Sequence, residues 1–154
     1  MAEYVTRTDE DQVRRLLDEL APAFGYISKA KEAYFNRFYL DRLWYSPSLD
    51  VPGVGFEIER GIPLNERLRK DILNLAWSRA PLGFIIVPHR RILADSMVEK
   101  GSTAQNWYVN TFWKSFEAYR QPFSFYCEIR LLDFDTLLEQ RSLKELTLDT
   151  KNGA

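Results

Sequence analysis

The 154-residue chain contains one cysteine and one histidine. A lone cysteine, Cys127, excludes an internal disulfide and a cysteine-rich zinc site. A lone histidine, His89, excludes a zinc site built on histidines. The seven glycines are scattered, so there is no glycine-rich phosphate loop. No motif supports Ser/His/Asp chemistry. No apolar run approaches the ~20 residues of a membrane helix. The stretch from Met1 to Glu10 is polar and acidic, unlike a secretory signal. These absences set the expectation of a cytoplasmic, intracellular protein with no membrane partner. An excess of one charge is missing too: 21 Lys and Arg face 22 Asp and Glu, for a net charge of −1. A strongly basic nucleic-acid footprint is therefore absent, and any such partner would have to be met by local clusters. Two exist, Arg67, Arg69 and Lys70, and His89, Arg90 and Arg91. Each is otherwise read as a solvated surface.

What is present is core. With 45% hydrophobic residues, a chain of this length builds one domain over residues 1–154 without staples. Thr8 is placed to cap a helix from Asp9, with Val13, Leu16, Leu17 and Leu20 on its apolar face. Pro22 and Gly25 end it. Residues 26–34 are ambiguous, with Ser28 to Ala33 read either as a helical turn or as a polar loop. Phe38 to Tyr45 is aromatic-rich and reads as a strand. Ser46 to Gly53 is dense in turn formers, and Val54 to Glu59 alternates as a second strand, giving an antiparallel hairpin. Pro63 opens a helix with Leu64, Leu68, Ile72, Leu75 and Ala76 on its buried stripe. Leu82 to Val87 is a continuous apolar run, a strand buried on both faces and parallel to 54–59 through a βαβ crossover.

Further on, a short helix is expected over about 91–100. Ser102 and Gln105 form a capping box for the next helix, which buries Val109, Phe112, Trp113 and Phe116. Phe123 to Leu131 alternates as a half-exposed strand, with Cys127 on its apolar face as an inert thiol. A last helix covers about 135–146. The order predicts an α/β domain with a mixed sheet, an antiparallel hairpin plus a parallel crossover strand, flanked by helices.

Glu57 and Glu59 are two apart on a strand and share one face, while Phe56 and Ile58 point into the core. Two such carboxylates at ~6 Å repel by roughly 3 kcal/mol at an effective dielectric of ~20. With the turn near residue 49 or 50, Asp41 lies opposite residues 57–59, and register decides whether it joins their face. Asp50 is the alternative to Asp41. Three converging carboxylates require a cation or a proton, and oxygen-only ligands select Mg²⁺, Mn²⁺ or Ca²⁺. The competing reading has Glu57 and Glu59 on a solvent-facing sheet surface, paired with Arg42, Arg60 or Arg67.

Asp41 in a strand, a gap of fifteen residues, Gly-Phe-Glu57-Ile-Glu59, an amphipathic helix and the strand Gly-Phe-Ile-Ile-Val together resemble the PD-(D/E)XK nuclease superfamily over about residues 9–88. The resemblance implies a restriction endonuclease-like core: a helix, three antiparallel strands, a crossover helix and a parallel strand. The first of these strands would fall within 24–37. It implies that Asp41 and Glu57 ligate Mg²⁺ or Mn²⁺, with Glu59 where the family carries lysine. This Glu-x-Glu variant makes Glu59 a metal ligand or general base, with the missing cation supplied by Lys70 or Arg67, or else leaves the site inactive. Glu19, on the first helix, would be the further acidic residue.

The implied activity is that of a Mg-dependent endodeoxyribonuclease. A metal-bound water held by Asp41, Glu57 and Glu59 would hydrolyse DNA in line and leave 5′-phosphate ends, with Lys70 also in the catalytic set. Arg67, Lys70, Arg90 and Arg91 would position backbone phosphates, and a homodimer would cut two strands. The alternative is a non-catalytic nucleic-acid- or protein-binding module on the same fold, using the basic clusters or exposed aromatics such as Trp44 and Trp107. A metal-dependent hydrolase acting on another substrate is a third. His89, at the end of the apolar strand, reads as a surface histidine, with a phosphate contact or general acid role as the alternative.

Overall fold

A computed structural model describes residues 3–30, 33–34, 38–98 and 107–139. Helix α1 (Arg7–Leu20) begins two residues earlier than expected. Its cap is Thr6, whose hydroxyl accepts from the Asp9 amide at 3.1 Å while the Asp9 carboxylate accepts from the Thr6 amide at 3.2 Å. This reciprocal box satisfies two end groups together. A 3₁₀ turn at Ala21–Phe24 and left-handed Gly25 close the helix.

The strands are β1 (Ile27–Ala30), β2 (Ala33–Tyr34), β3 (Phe38–Tyr39), β4 (Arg42–Ser46), β5 (Val51–Ile58), β6 (Leu82–Val87) and β7 (Glu128–Asp133). Five of them form one mixed sheet in the order β1-β4-β5-β6-β7, and β2 and β3 pair separately. β1, β4 and β5 are antiparallel neighbours, whereas β5, β6 and β7 run parallel. The ambiguous stretch after Gly25 is thus partly strand. Helix α2 (Asn65–Trp77) makes the crossover from β5 to β6. Helices α3 (His89–Val98), α4 (Trp113–Arg120) and α5 (Phe134–Glu139) complete the domain.

The sheet separates two apolar layers. On one face Val13, Leu17 and Leu20 of α1, with Phe134 and Leu137 of α5, pack on Trp44, Phe56, Ile58, Phe84 and Ile86. On the other, Leu68, Ile72 and Leu75 of α2, with Phe112 and Phe116, pack on Leu43, Ile85, Val87, Ile129 and Leu131. β6 therefore contributes to both layers, as its continuous apolar run requires. Each such side chain stabilises the fold by about 1.5–3 kcal/mol on full burial.

Three expectations shift. The helix after residue 107 opens with a π turn over Tyr108–Phe112. Tyr108, Phe112 and Phe116, at intervals of four, are buried, and Val109 is exposed. Phe123 to Tyr126 is not strand: Gln121–Phe123 is a 3₁₀ turn, and the Tyr126 and Cys127 amides both donate back to the Phe123 carbonyl. Pairing starts only where the Glu128 amide meets the Pro81 carbonyl, so Phe125 stays exposed. Trp44 is core rather than surface, its indole N–H donating to the Leu17 carbonyl at 3.1 Å. The Ser102–Gln105 capping box and residues 140–146 of the last helix lie outside the described residues.

Candidate active site

Glu57 and Glu59 leave β5 on the α2 side, while Phe56 and Ile58 enter the α1 layer. Glu59 lies past the strand end but continues its ladder, its amide donating to the Ile86 carbonyl at 2.8 Å. Both acids are buried, Glu57 at 7% exposure and Glu59 at 2%. The solvent-facing reading is therefore corrected, although Arg67 does pair with Glu59, Nε to Oε2 at 2.7 Å.

Asp41 sits at the bend before β4, not inside a strand. The β4–β5 register pairs Arg42 with Phe56 and so sets Asp41 beside Glu57. The Asp41 amide donates to Glu57 Oε1 at 3.1 Å, and the Ile58 amide donates to Asp41 Oδ2 at 2.8 Å. Asp41, Glu57 and Glu59 thus line one cleft of about 820 Å³. Asp50 lies in the β4–β5 turn, where its carboxylate accepts from the Tyr45 hydroxyl, and takes no part.

Two acids escaped the sequence reading. Asp71, on α2, faces the same cleft with 4% exposure. Its height over the sheet is set one turn further along, by Leu75. Leu75 descends onto paired Gly55 and Gly83, where a Cβ would lie 3.0 and 3.1 Å from Leu75 Cδ2. Glu10, on α1, is held by Arg14 and by Arg60, the latter Nε to Oε2 at 2.6 Å. Arg14 also reaches Asp41 Oδ1 at 3.2 Å. Both acids had a legible signal. Glu10 falls on the Val13–Leu17–Leu20 stripe and Asp71 on the Leu68–Ile72–Leu75 stripe, where a charged residue has no reason to be unless it has a partner or a task. Glu19, the expected α1 acid, is exposed and lines a different surface.

The charges do not balance inside the cleft. Arg14 stands against Asp41 and Arg67 against Glu59, whereas Glu57 accepts from the Asp41 amide and, among the described residues, has no basic partner. Asp71 Oδ2 is buried without any hydrogen-bond partner. Its polar neighbours are the Glu59 and Glu57 carboxyls, which can bond to it only by sharing a proton. Burial raises the pKa of Glu57, and the Asp41 charge adds to the effect. Burial likewise raises that of Asp71, reinforced by Glu59 and Glu57.

Of the basic candidates, Arg67 and Lys70 line the cleft and are exposed. Arg69 turns away, onto Tyr119. Arg90 and Arg91 are not at the cleft. Arg90 bonds to Thr136, and its amide donates to Asp133. Arg91 grips Asp135 at 2.8 Å, Asp9 at 3.2 Å and the Tyr4 carbonyl. Both thus clamp α3 to α5, and Arg91 also ties in the chain start. Trp107 is 38% exposed and does not line the cleft. His89 is half-buried rather than superficial: Nδ1 lies 2.8 Å from the Tyr108 hydroxyl, the ring packs on Trp113, and burial lowers its pKa.

Among the described residues, no three acidic, histidine or cysteine side chains stand ready to hold a metal ion. The donor chemistry nevertheless fits a hard cation, since the acids of the cleft offer carboxylate oxygens and one of these, Asp71 Oδ2, is buried without a partner. Assembly would require side-chain rotation away from Arg67 and Arg14. No described helix is long and apolar enough to cross a membrane. Comparison with known proteins finds no matching family model, no similar curated protein and no similar solved structure.

Proposed function

We propose that the cleft is the active site of a divalent-metal-dependent endonuclease that hydrolyses DNA phosphodiesters. The observation that carries this reading is the convergence of Asp41, Glu57 and Glu59 at one end of the sheet, beneath a rim bearing Arg67 and Lys70. The path from α1 through antiparallel β1, β4 and β5, then α2 and parallel β6, supports the restriction endonuclease-like resemblance.

Asp41, Glu57 and Glu59 would hold Mg²⁺ or Mn²⁺. When bound, that ion supplies charge neutralisation at the phosphate and a more acidic water. The chain's own groups do the rest. Arg67 and Lys70, exposed on the rim, engage the phosphate on either side of the scissile bond. Arg67 also stands where the family's lysine charge is missing, because it is bonded to Glu59. Asp41 orients Glu57 through its own amide. Should Arg67 turn to the phosphate, Glu59 would be released to act either as a ligand or, instead, as the group that accepts a proton from the attacking water.

A second reading, a non-catalytic nucleic-acid-binding module, is favoured by one observation: Arg14 and Arg67 already neutralise two of the carboxylates. A cleavage assay on supercoiled and linear DNA with Mg²⁺ or Mn²⁺ separates the two. Cutting that requires the metal and vanishes in Glu57→Ala supports the nuclease. Cutting that survives Glu57→Ala overturns the site, and tight binding without cutting selects the module.

A further inference from the structure

We propose that Asp71 is a divalent-cation ligand, delivered by α2 to complete a carboxylate set with Glu57 and Glu59. The proposal rests on the reading above only in requiring that the cleft take up a cation. It adds a ligand from outside the hairpin, which neither the Asp41 and Glu-x-Glu pattern nor the strand spacing supplies.

Six carboxylates line the cleft; Glu10 is held by Arg14 and Arg60 and Glu66 is exposed, which leaves Asp41, Glu57, Glu59 and Asp71. Two have a guanidinium, Arg14 on Asp41 and Arg67 on Glu59. The Asp41 oxygens are both engaged, one by Arg14 and one by the Ile58 amide. Of these four, Glu57 and Asp71 have no basic partner among the described residues; a divalent cation that displaced their protons would offset the two negative charges so formed. Asp71 Oδ2 is buried and bonded to nothing. A carboxyl oxygen in that state is costly to the fold, because it has lost water and gained no donor. Leu, Ile or Ala would fit the apolar stripe of α2 at position 71 without that cost. A ligand's role accounts for an acid there.

The placement is also built. Asp71 follows Leu68 by three residues and precedes Leu75 by four, so both hold its turn of helix against the sheet. Gly55 and Gly83 let Leu75 approach the strands closely enough to bring that turn down onto the cleft floor. Oxygen donors alone favour Mg²⁺, Mn²⁺ or Ca²⁺ over Zn²⁺.

The test is titration of the whole chain with Mn²⁺, following free Mn²⁺ by electron paramagnetic resonance, without nucleic acid. Mg²⁺ serves as competitor. Wild type is expected to bind, and Asp71→Asn to bind at least ten-fold more weakly. Glu19→Gln, on the far surface, binds as wild type. Metal-free Asp71→Asn should melt no lower than wild type, since it removes an unpartnered carboxylate, so the loss cannot be assigned to unfolding. Asp71→Ser is the second variant and should lose Mn²⁺ equally. Wild-type affinity in either variant overturns the assignment of Asp71 while leaving a cation at the hairpin. No Mn²⁺ binding by wild type overturns both this inference and the metal-dependent nuclease.

Discussion

Asp41 and Glu57 are interlocked through the backbone: the Asp41 amide holds a Glu57 oxygen, and the amide after Glu57 holds an Asp41 oxygen. Each acid thereby fixes the other's neighbourhood across the β4–β5 pair. Asp41 has both a structural bond and a charge, and substitutions can separate them. Asp41→Asn keeps an acceptor for the Ile58 amide and should change stability by less than about 1 kcal/mol, yet abolish metal-dependent cleavage. Asp41→Ala leaves the Ile58 amide without its acceptor and should cost about 1–3 kcal/mol. Urea melts and plasmid cleavage, run on both variants, measure the two effects apart.

The buried acids make stability depend on pH in a defined direction. Glu57, at about 8, and Asp71 both titrate above their ordinary range in the folded chain, chiefly through burial. The folded state therefore binds more protons than the unfolded one. The stability these two acids contribute is complete below the ordinary carboxylate pKa of ~4 and falls as pH rises toward 8. The melting temperature should be lower at pH 8 than at pH 5.5, with Glu57→Gln flattening the slope. Asp9 is lowered instead, by the Thr6 amide, so its contribution is lost only at more acidic pH. Millimolar Mg²⁺ should raise the melting temperature more at pH 8 than at pH 5.5. An equal shift at both values would count against cation uptake by these acids.

Arg67 carries the charge that faces Glu59. Removing one member of a wholly buried pair costs about 3–5 kcal/mol. The Arg67 side chain is 59% exposed, so water moderates the loss, and Arg67→Ala should cost about 1–2 kcal/mol. Arg67→Lys should recover part of both stability and cleavage. Denaturant titration with and without Mn²⁺ reads this directly, because Mn²⁺ should offset more of the loss in Arg67→Ala than it adds to wild type.

The Gly55–Gly83 pair admits Leu75 and so sets the height of α2. Gly55→Ala places a methyl 3.0 Å from Leu75 Cδ2 and 3.1 Å from Leu40 Cδ1. The expected cost is about 1–3 kcal/mol from overpacking. Leu75→Ala should cost about 2–5 kcal/mol through the cavity it leaves. Both lift or loosen the turn that carries Asp71, so Mn²⁺ affinity should weaken in each, although neither touches a carboxylate.

The sequence by itself determined the alternation that puts Glu57 and Glu59 on one face, and the apolar run that makes residues 82–87 a strand buried on both faces. It also determined the crossover helix between them. These follow from local periods of two and 3.6 residues, which need no knowledge of the rest of the chain. Period also led astray: Phe123 to Tyr126 alternates but makes no strand, because Pro122 and the bonds to Phe123 keep it turned. The tertiary structure decided what depends on register and on which elements meet. Asp41 joined Glu57 because Arg42 pairs with Phe56, a choice no single strand contains. Arg90 and Arg91 left the site because their partners lie more than forty residues away, on α5. Asp71 and Glu10 entered it because helices set acids on their apolar stripes against the end of the sheet. A charge on such a stripe is visible in the sequence, but its partner is not, since contact between distant segments is settled only when the layers pack.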